Sequence, residues 1–256
     1  MDILLTNDDG IYAPGIKSLY AEFNSRGHNV IVVAPLTEQS AVGHSLTIFS
    51  PVRAREISED GLNGTGLSGT PVDCVKWAMS YYLKNRPDLV VSGINSGANV
   101  GIDVLYSGTV SAATEGALAG IPSMAVSIDD FRPRDLHRHA AWTAGFIEAF
   151  DWSCVPYQNI LNINFPACSL DDAKGVRVCS QTNVVYKDNY ACRLDPRGRP
   201  YYWLGGEIPM EKVDPGADRA LLSSNYITVT PLKFELTNFD IMNELQNIVQ
   251  SVNIIK

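Results

Sequence analysis

Short apolar runs alternate with amphipathic segments along the first two-thirds of the chain. Four continuous apolar runs stand out, at residues 2–7, 28–34, 88–94 and 123–128. Runs of about four to eight apolar residues are typical of strands that are buried on both faces of a parallel sheet. We therefore expect four buried strands in this part of the chain.

The segments between these runs are predicted to be helices. Residues 16–23 place apolar side chains at i, i+3, i+4 and i+7, and Gly27 is suited to end that helix. Thr70, Pro71 and Asp73 fit the cap and the first turn of a second helix, which we expect to end near residue 83. Two further helices are expected at 109–119 and 135–150.

This alternation of strand and helix predicts an α/β fold built on a doubly wound, mostly parallel sheet. We expect the sheet and the functional site within residues 1–165, and we expect the whole chain, 1–256, to be one domain. A chain of 256 residues is long enough to bury a substantial core.

The pattern changes after residue 165. Strands are expected at 176–180 and 226–230, and between them 183–218 is polar, aromatic and rich in glycine and proline. We interpret 183–218 as a protruding hairpin, with a loop folded over its own core as the alternative. Residues 237–252 are predicted to be a C-terminal helix with an apolar stripe of Ile241, Leu245, Ile248 and Val252. Such a stripe must be buried on the same subunit or on a neighbour.

Composition and charge narrow the range of functions. The net charge is −8 and no stripe of Lys and Arg occurs, so we expect no binding to a nucleic-acid duplex. No apolar run is long enough to span a bilayer and the N-terminus has no signal-peptide pattern, so we expect a cytoplasmic protein with no membrane partner. The five cysteines are scattered, which favours reduced, mostly buried thiols over a zinc cluster or a disulfide framework.

Asp8 and Asp9 are the most informative residues, and they follow the first apolar run directly. Adjacent carboxylates repel each other, and burying them in a crevice is unfavourable unless a cation lies between them. Ligands of open parallel sheets bind at the carboxyl ends of the strands. The pair therefore lies where a metal-dependent active site is expected, with a plain Asp-Asp-Gly turn as the alternative.

Three more polar segments are expected at the same edge of the sheet, at 34–45, 92–101 and 106–110. Hydroxyls such as Ser40 and amide oxygens of Asn95 and Asn99 would join the two carboxylates there. A ligand set made only of oxygen suits Mg²⁺ or Mn²⁺ better than zinc or copper. As alternatives, Ser40 is a simple loop hydroxyl, and the two asparagines adopt left-handed turn conformations beside glycines.

The last of these segments has a different chemistry. Ser107, Gly108 and Thr109 precede a helix, so free amides and hydroxyls can point at an anion there, helped by the helix dipole. A divalent cation beside an anion site is the arrangement of a phosphate-hydrolysing or phosphoryl-transfer site. Simple capping of the helix is the alternative.

Two other polar residues are expected near this edge. His44 is a candidate general acid or phosphate contact, and a structural role is the alternative. Glu115 follows on the next helix, and we expect its carboxylate to hold a nearby loop without a catalytic role.

At these segments the chain resembles the SurE family, the stationary-phase survival proteins that act as metal-dependent nucleotidases. The motifs that carry the similarity occur in the order and with the spacing typical of that family. They lie at 4–10, 34–47, 69–75, 92–99 and 106–110. Weaker similarity follows at 162–166, 195–198 and 230–232. One departure is Ala41, where many members have a glycine directly after the serine.

The resemblance implies a Rossmann-like fold and the activity of a 5′-nucleotidase or acid-type phosphatase. Such enzymes remove phosphate from nucleoside 5′- or 3′-monophosphates, and some members also trim short polyphosphate. The resemblance also implies a homodimer or homotetramer that exchanges the C-terminal helix and the hairpin. One divalent metal ion, Mg²⁺ or Mn²⁺, would be bound by Asp8, Asp9, Ser40 and Asn95. Phosphate would be bound by Asn99, Ser107, Gly108 and Thr109.

The leading hypothesis is metal-assisted hydrolysis, in which Asp8 or Asp9 orients the attacking water or takes its proton. A phosphatase with a covalent aspartyl phosphate is one rival, although Asn7-Asp8-Asp9 lacks the Asp-x-Asp pattern. A nucleotide-binding regulator or assembly protein without turnover is the other. Base preference is not encoded in any motif, and Tyr106 is only a stacking candidate.

Overall fold

A nine-stranded sheet runs through the centre of the molecule, and a separate two-stranded hairpin extends from it. The computed structural model describes residues 1–252. In chain order the strands are β1 (Asp2–Thr6), β2 (Asn29–Pro35), β3 (Ala54–Glu59), β4 (Leu62–Leu67), β5 (Leu89–Ser96), β6 (Ser123–Ile128), β7 (Asn159–Phe165), β8 (Val176–Val178), β9 (Lys187–Leu194), β10 (Pro200–Glu207) and β11 (Ile227–Lys233).

The order of strands in the large sheet is β3-β4-β2-β1-β5-β6-β7-β11-β8. The six central strands from β4 to β7 are parallel. At the two sides, β3 and β11 run antiparallel to β4 and β7. The prediction of an α/β fold with a mostly parallel sheet is confirmed.

The sheet changes winding direction at β1. The next strand in the chain, β2, lies on one side of β1, and β5 lies on the other. A crevice opens outside the carboxyl ends of two strands where such a reversal occurs, and open α/β sheets bind ligands there. The segment that carries Asp8 and Asp9 leaves β1 at this point.

Helices cover both faces of the sheet, as a doubly wound fold requires. The helices are α1 (Pro14–Ser25), α2 (Pro71–Trp77), α3 (Gly108–Leu118), α4 (His137–Ala149), α5 (Asp218–Ser223) and α6 (Met242–Ser251). α1 packs against α4, and α2 packs against α3. Along β1, Ile3 and Leu5 pack in one apolar cluster and Leu4 in another, so the two helix pairs cover opposite faces.

Local sequence explains where these helices start and end. Thr70 and Asp73 form a reciprocal capping box at the start of α2, as predicted. The helical path continues beyond α2 as a π-helical segment, Ala78–Tyr82, close to the expected end at 83. Gly27 has φ +82 and follows α1 directly after its capping residue, Arg26.

Four elements of the described chain were not predicted: β3, β4, β7 and α5. β4 escapes detection because Gly64 and Gly66 interrupt its apolar pattern. Gly64 is required by packing, since a Cβ would come within 2.7 Å of the Cβ of Val32, whereas a Cβ at Gly66 would meet the end of the Leu36 side chain at 2.3 Å, and that side chain can shift. β7 escapes because Asn162 lies in its middle, although it is completely buried.

The C-terminal part of the chain leaves much apolar surface open. β9 and β10 are exposed along their whole lengths, so 183–218 contains a protruding hairpin and the alternative of a loop over its own core is wrong. On the C-terminal helix, Leu245 and Val249 are 48% and 66% exposed. Burial of its apolar stripe on the same subunit is therefore not observed.

Two further expectations concern thiols and membranes. All five cysteines are free, but only Cys74 and Cys179 are buried, so the expectation of mostly buried thiols was wrong. Residues 1–252 contain no helix long and apolar enough to cross a membrane.

The close packing of α1 on β5 gives a stability prediction. A Cβ at Gly15 would lie 1.9 Å from the carbonyl oxygen of Ile94, so Gly15→Ala should destabilise the fold by about 1–3 kcal/mol or more. Gly145 is a helical glycine with no atom within 4 Å of such a Cβ, so Gly145→Ala should stabilise by up to about 1 kcal/mol. Urea unfolding measures both, and equal effects of the two variants would contradict this packing.

Candidate active site

Asp8 lies just beyond β1, directly against the start of α3. Its side chain is buried, with only 5% of its surface exposed. The hydroxyl of Thr109 donates a hydrogen bond to Asp8 Oδ1. A Cβ on Gly108 would lie 2.7 Å from the Cβ of Asp8, so only glycine lets α3 begin this close to the carboxylate. The positive end of the α3 dipole therefore faces Asp8.

Burial is the main cause of a raised pKa at Asp8, from an ordinary value of 3.8 to about 6. The hydrogen bond from the Thr109 hydroxyl acts in the opposite direction, and the charge of Asp9 adds to the increase. Within residues 1–252 no Lys, Arg or His forms an ion pair with either carboxylate. The site therefore carries negative charge that the described side chains leave unneutralised.

Asp9 is half-buried and contacts the neighbouring strand. The backbone amide of Ser96 donates a hydrogen bond of 3.0 Å to Asp9 Oδ2. Burial raises the pKa of Asp9, the bond from Ser96 lowers it, and the charge of Glu38 raises it. Because Ser96 ends β5, this bond joins the ends of β1 and β5 at the reversal of the sheet.

The loop after β2 passes over the two aspartates. The backbone amide of Gln39 donates a hydrogen bond of 2.8 Å to the carbonyl oxygen of Asp8. Ser40 follows directly and is exposed, and its hydroxyl donates a hydrogen bond of 2.5 Å to Glu38 Oε1. Ser40 therefore follows a residue that is bonded to the backbone of Asp8, but its own hydroxyl is turned toward Glu38.

Ala41 has an unusual backbone conformation for its residue type. Its φ is +57, in the left-handed region that favours glycine. This is the position at which the sequence was expected to depart from the family that it resembles. The loop therefore keeps a glycine-like conformation although it carries an alanine.

Asn95 lies near the end of β5 and is half-buried. Its side-chain nitrogen donates a hydrogen bond of 2.7 Å to the carbonyl oxygen of Gly97, which fixes the direction of the side-chain oxygen. The positive φ values of this segment fall on glycines: Gly93, with φ +145, Gly97, with φ +111, and Gly101, with φ +59. The alternative that the asparagines adopt such conformations is wrong.

The residues at this edge fit a divalent cation. Two carboxylates with pKa values raised by burial, and with no ion-pair partner in the described chain, lie where a positive charge would stabilise both. No group of three or more His, Cys, Asp or Glu side chains in residues 1–252 forms a metal cluster. Further ligands would have to be hydroxyl or amide oxygens, which are the donors that Mg²⁺ and Mn²⁺ accept.

The start of α3 is partly occupied by the protein itself. The hydroxyl of Ser107 accepts a hydrogen bond of 3.1 Å from the backbone amide of Val110, so Ser107 caps the helix. The hydroxyl of Thr109 already binds Asp8. An anion at this point would therefore be bound mainly by backbone amides of the first turn, where α-helices have unpaired donors.

Asn99 belongs to a buried polar network on the far side of β5. Its side-chain nitrogen donates to Ser127 Oγ at 2.8 Å, and its backbone amide donates to Asn164 Oδ1 at 2.8 Å. Asn162 and Asn164 in turn donate to its carbonyl oxygen. These contacts make Asn99 a residue that holds the 97–101 loop, and its role as a phosphate ligand stays a prediction.

His44 is tied to a buried carboxylate. His44 Nε2 lies 3.0 Å from Glu115 Oε2, and Lys76 Nζ lies 2.6 Å from Glu115 Oε1. Burial raises the pKa of Glu115, but hydrogen bonds from His44 and Lys76 outweigh burial and leave the pKa lowered. Glu115 thus holds the loop that carries His44, as the sequence indicated. This contact supports a structural role for His44 over a role as general acid or phosphate contact.

Sequence reasoning missed two contributors to the site. Glu38 is a third carboxylate whose charge acts on Asp9, and its position two residues before Ser40 could have suggested it. Ser96 contributes mainly through its backbone amide, which every residue except proline has, and less through its side chain, so its residue type was only a weak signal.

The chain is similar to known proteins in both sequence and structure. The family model described as "Survival protein SurE" matches residues 3–188. A protein of Nitratidesulfovibrio vulgaris named 5′-nucleotidase SurE is 54% identical over 248 residues, which are 97% of this chain and 92% of that protein. A protein of the same name from Solidesulfovibrio magneticus is 54% identical over 245 residues, 96% of each chain. The crystal structure of the SurE protein from Aquifex aeolicus has a TM-score of 0.83 and 36% identity, and the match covers 96% of this chain and 99% of that one.

The ion pairs of Glu115 predict a pH-dependent contribution to stability. Because its pKa is lowered in the folded state, the ionised carboxylate stabilises the fold above its unfolded pKa, and this stabilisation is lost as the pH falls through the folded value. Glu115→Gln should therefore lower the urea midpoint at pH 7, and the difference from wild type should shrink as the pH falls below about 4. A difference that is the same at both pH values would contradict a charge-based role.

Proposed function

Because the chain belongs to the SurE family, we propose that it is a 5′-nucleotidase, a metal-dependent phosphomonoesterase that converts nucleoside 5′-monophosphates to nucleoside and phosphate. Its relatives with about half their residues identical carry that name. The observation that supports the proposal most strongly is the Asp8–Asp9 pair. The two carboxylates lie at the reversal of the sheet, where Asp8 contacts the first turn of α3 and Asp9 contacts the end of β5.

In this proposal Asp8, Asp9, Ser40 and Asn95 would hold one divalent cation, Mg²⁺ or Mn²⁺. When bound, the cation would supply electrostatic stabilisation of a phosphate oxygen and would acidify a nearby water. The hydroxyl of Ser40 would turn away from Glu38 in order to contribute its oxygen. The side-chain oxygen of Asn95 is left for this role because the nitrogen is engaged by Gly97.

The chain's own groups then position the reactants. Thr109 fixes one oxygen of Asp8, and the amide of Ser96 fixes one oxygen of Asp9. One of the two aspartates would orient the attacking water or take its proton. The amides at Ser107, Gly108 and Thr109 would stabilise charge on the oxygens of the phosphate, with Asn99 holding the adjacent loop.

The proposal extends to 3′-monophosphates and short polyphosphate, which present the same terminal phosphate to this edge. It also places the enzyme in the cytoplasm, since five free thiols suit a reducing compartment.

We also propose that the enzyme is a homodimer or homotetramer assembled through the C-terminal helix and the hairpin. On α6, Leu245 is 48% and Val249 66% exposed, and on β10 Tyr202 and Trp203 are about 60% exposed. Groups of exposed large apolar side chains such as these are typical of an interface between subunits. A second copy of the chain offers the matching apolar surfaces, in the way that symmetric oligomers do.

Asp8→Asn tests the enzymatic role of the carboxylate pair. Phosphate release from a nucleoside 5′-monophosphate should fall by about 100-fold or more, because the variant loses one charged ligand and a candidate base. The fold should persist, since the new amide oxygen can still accept from Thr109 and a buried charge is removed. Without metal at pH 7 the variant should unfold at the same temperature as wild type or higher.

Two controls accompany this variant. Asp60→Asn changes an exposed carboxylate that pairs with Lys17, and it should keep wild-type turnover. EDTA should abolish wild-type activity, and added Mg²⁺ or Mn²⁺ should restore it. Near-full turnover of Asp8→Asn would refute the proposal, and wild-type protein that binds nucleotide without releasing phosphate would favour the regulator instead.

Leu245→Glu tests the assembly. The charge on the apolar stripe should reduce the molar mass measured by light scattering, while circular dichroism stays unchanged. Asn247→Glu adds the same charge on a different face of α6 and should leave the mass unchanged. An oligomer that survives Leu245→Glu would show that the apolar stripe is not the contact.

A further inference from the structure

A cavity of about 540 Å³ lies beside the proposed phosphate site, at the base of the hairpin. Its walls come from the 3₁₀ segment Gly101–Leu105 and from Tyr106 on one side, and from Tyr186 and Leu204 on the other. Pockets of roughly 300–1,000 Å³ lined by apolar and aromatic side chains are typical sites for small ligands. No step of the mechanism described above uses this cavity.

Tyr106 joins the cavity to the catalytic edge. It lies two residues before Gly108, so their Cα atoms are at most about 7.6 Å apart. Gly108 in turn contacts Asp8. The carbonyl oxygen of Tyr106 accepts a hydrogen bond of 2.9 Å from the amide of Gly43, which fixes its backbone, and its side chain remains 58% exposed. A ligand whose phosphate lies at Gly108 can therefore place its remaining part against Tyr106.

The charge of the residues that line the cavity determines which part of such a ligand it can accept. Asp103 and Asp188 both line the cavity. Asp103 is paired with Arg219 at 2.5 Å and accepts from the Tyr186 hydroxyl at 3.2 Å. The surplus carboxylate of Asp188 disfavours a second anion and suits groups that donate hydrogen bonds. A phosphate thus stays at the first turn of α3, and an uncharged, hydroxyl-bearing or amino-bearing group is favoured inside.

We propose that this cavity binds the nucleoside part of the substrate, with the ring of Tyr106 stacked on the base. The proposal rests on the nucleotidase function given above and adds the residue that selects nucleotides over other phosphate monoesters. Aromatic stacking tolerates every base, because each has a π-face. Tyr106 thereby sets a preference for nucleosides as a class.

The test compares two substrates that share a phosphate but differ in the base. Tyr106→Ala should lower kcat/KM for AMP by about tenfold or more, which is the size of a lost stacking contact. For ribose 5-phosphate, which has no base, kcat/KM should change by less than about twofold, since ordinary surface substitutions have small effects. Tyr106→Phe should behave as wild type with both substrates, because it keeps the ring.

A matched control is Tyr157→Ala. Tyr157 is also exposed, at 66%, and its hydroxyl contacts the carbonyl oxygen of Leu118, at the opposite end of α3 from Tyr106. The variant Tyr157→Ala should keep the wild-type kcat/KM with AMP. Equal losses of Tyr106→Ala on AMP and ribose 5-phosphate, or no loss on AMP, would overturn the proposal.

A binding measurement separates this proposal from the proposed function. Adenosine without phosphate should bind wild-type protein in calorimetry, and Tyr106→Ala should weaken that binding about tenfold or more. If wild type binds adenosine through Tyr106 but hydrolyses no nucleotide, the nucleotidase proposal fails and the cavity assignment stands. If Tyr106→Ala binds adenosine as tightly as wild type does, the cavity assignment is wrong, regardless of the rate at which nucleotide is hydrolysed.

A second copy of the chain is the competing occupant of this cavity. Leu204→Trp enlarges a side chain of the cavity wall and should reduce kcat/KM for AMP while ribose 5-phosphate is hydrolysed as before. A change in molar mass by light scattering, with the ratio of the two substrates unaltered, would show that the cavity receives the partner's chain instead.

Discussion

The burial of two adjacent carboxylates at a partly water-excluded edge of the sheet, with charge repulsion as a smaller effect, is the constraint on which the site depends. Asp8 is buried and Asp9 is half-buried, and the pKa values of both carboxyl groups are raised. The fold tolerates them because Thr109 binds one and the amide of Ser96 binds the other. These contacts orient the carboxylates but supply no positive charge, which leaves the pair suited to a cation.

The position of the pair follows from how the sheet is wound. β2 and β5 lie on opposite sides of β1, so the loops after all three strands meet at one edge. Close packing brings this edge together, and glycine permits it at two points. Gly15 lets α1 touch β5 at Ile94, and Gly108 lets α3 begin against Asp8. The same helix start is next to Tyr106, so the proposed phosphate and nucleoside sites share a short stretch of chain, and the fold brings Asp8 of the proposed cation site against it.

Sequence patterns were informative where periodicity or capping chemistry is local. The four buried runs became β1, β2, β5 and β6, and the capping box at Thr70 is present. Two of the missed strands are β4, in which Gly64 packs against a neighbouring strand, and β7, which contains the buried amide of Asn162. They were missed because tertiary contacts, and not the local sequence pattern, make these segments strands. Within the site, Asp8 and Asp9 were evident from their adjacency. The side-chain partners were not, because bonds such as Thr109 to Asp8 connect residues far apart in sequence.

Calorimetric titration of metal-free protein with Mn²⁺ tests the central claim most directly, since it measures the cation site without any substrate. The account predicts one ion per chain at neutral pH, and it predicts that Asp9→Asn removes this binding while the protein stays folded. The affinity should also fall as the pH decreases through the raised pKa of Asp8, because protons compete for the same oxygens. An absence of binding by wild type, or the same affinity in Asp9→Asn, would contradict the assignment of these carboxylates as cation ligands.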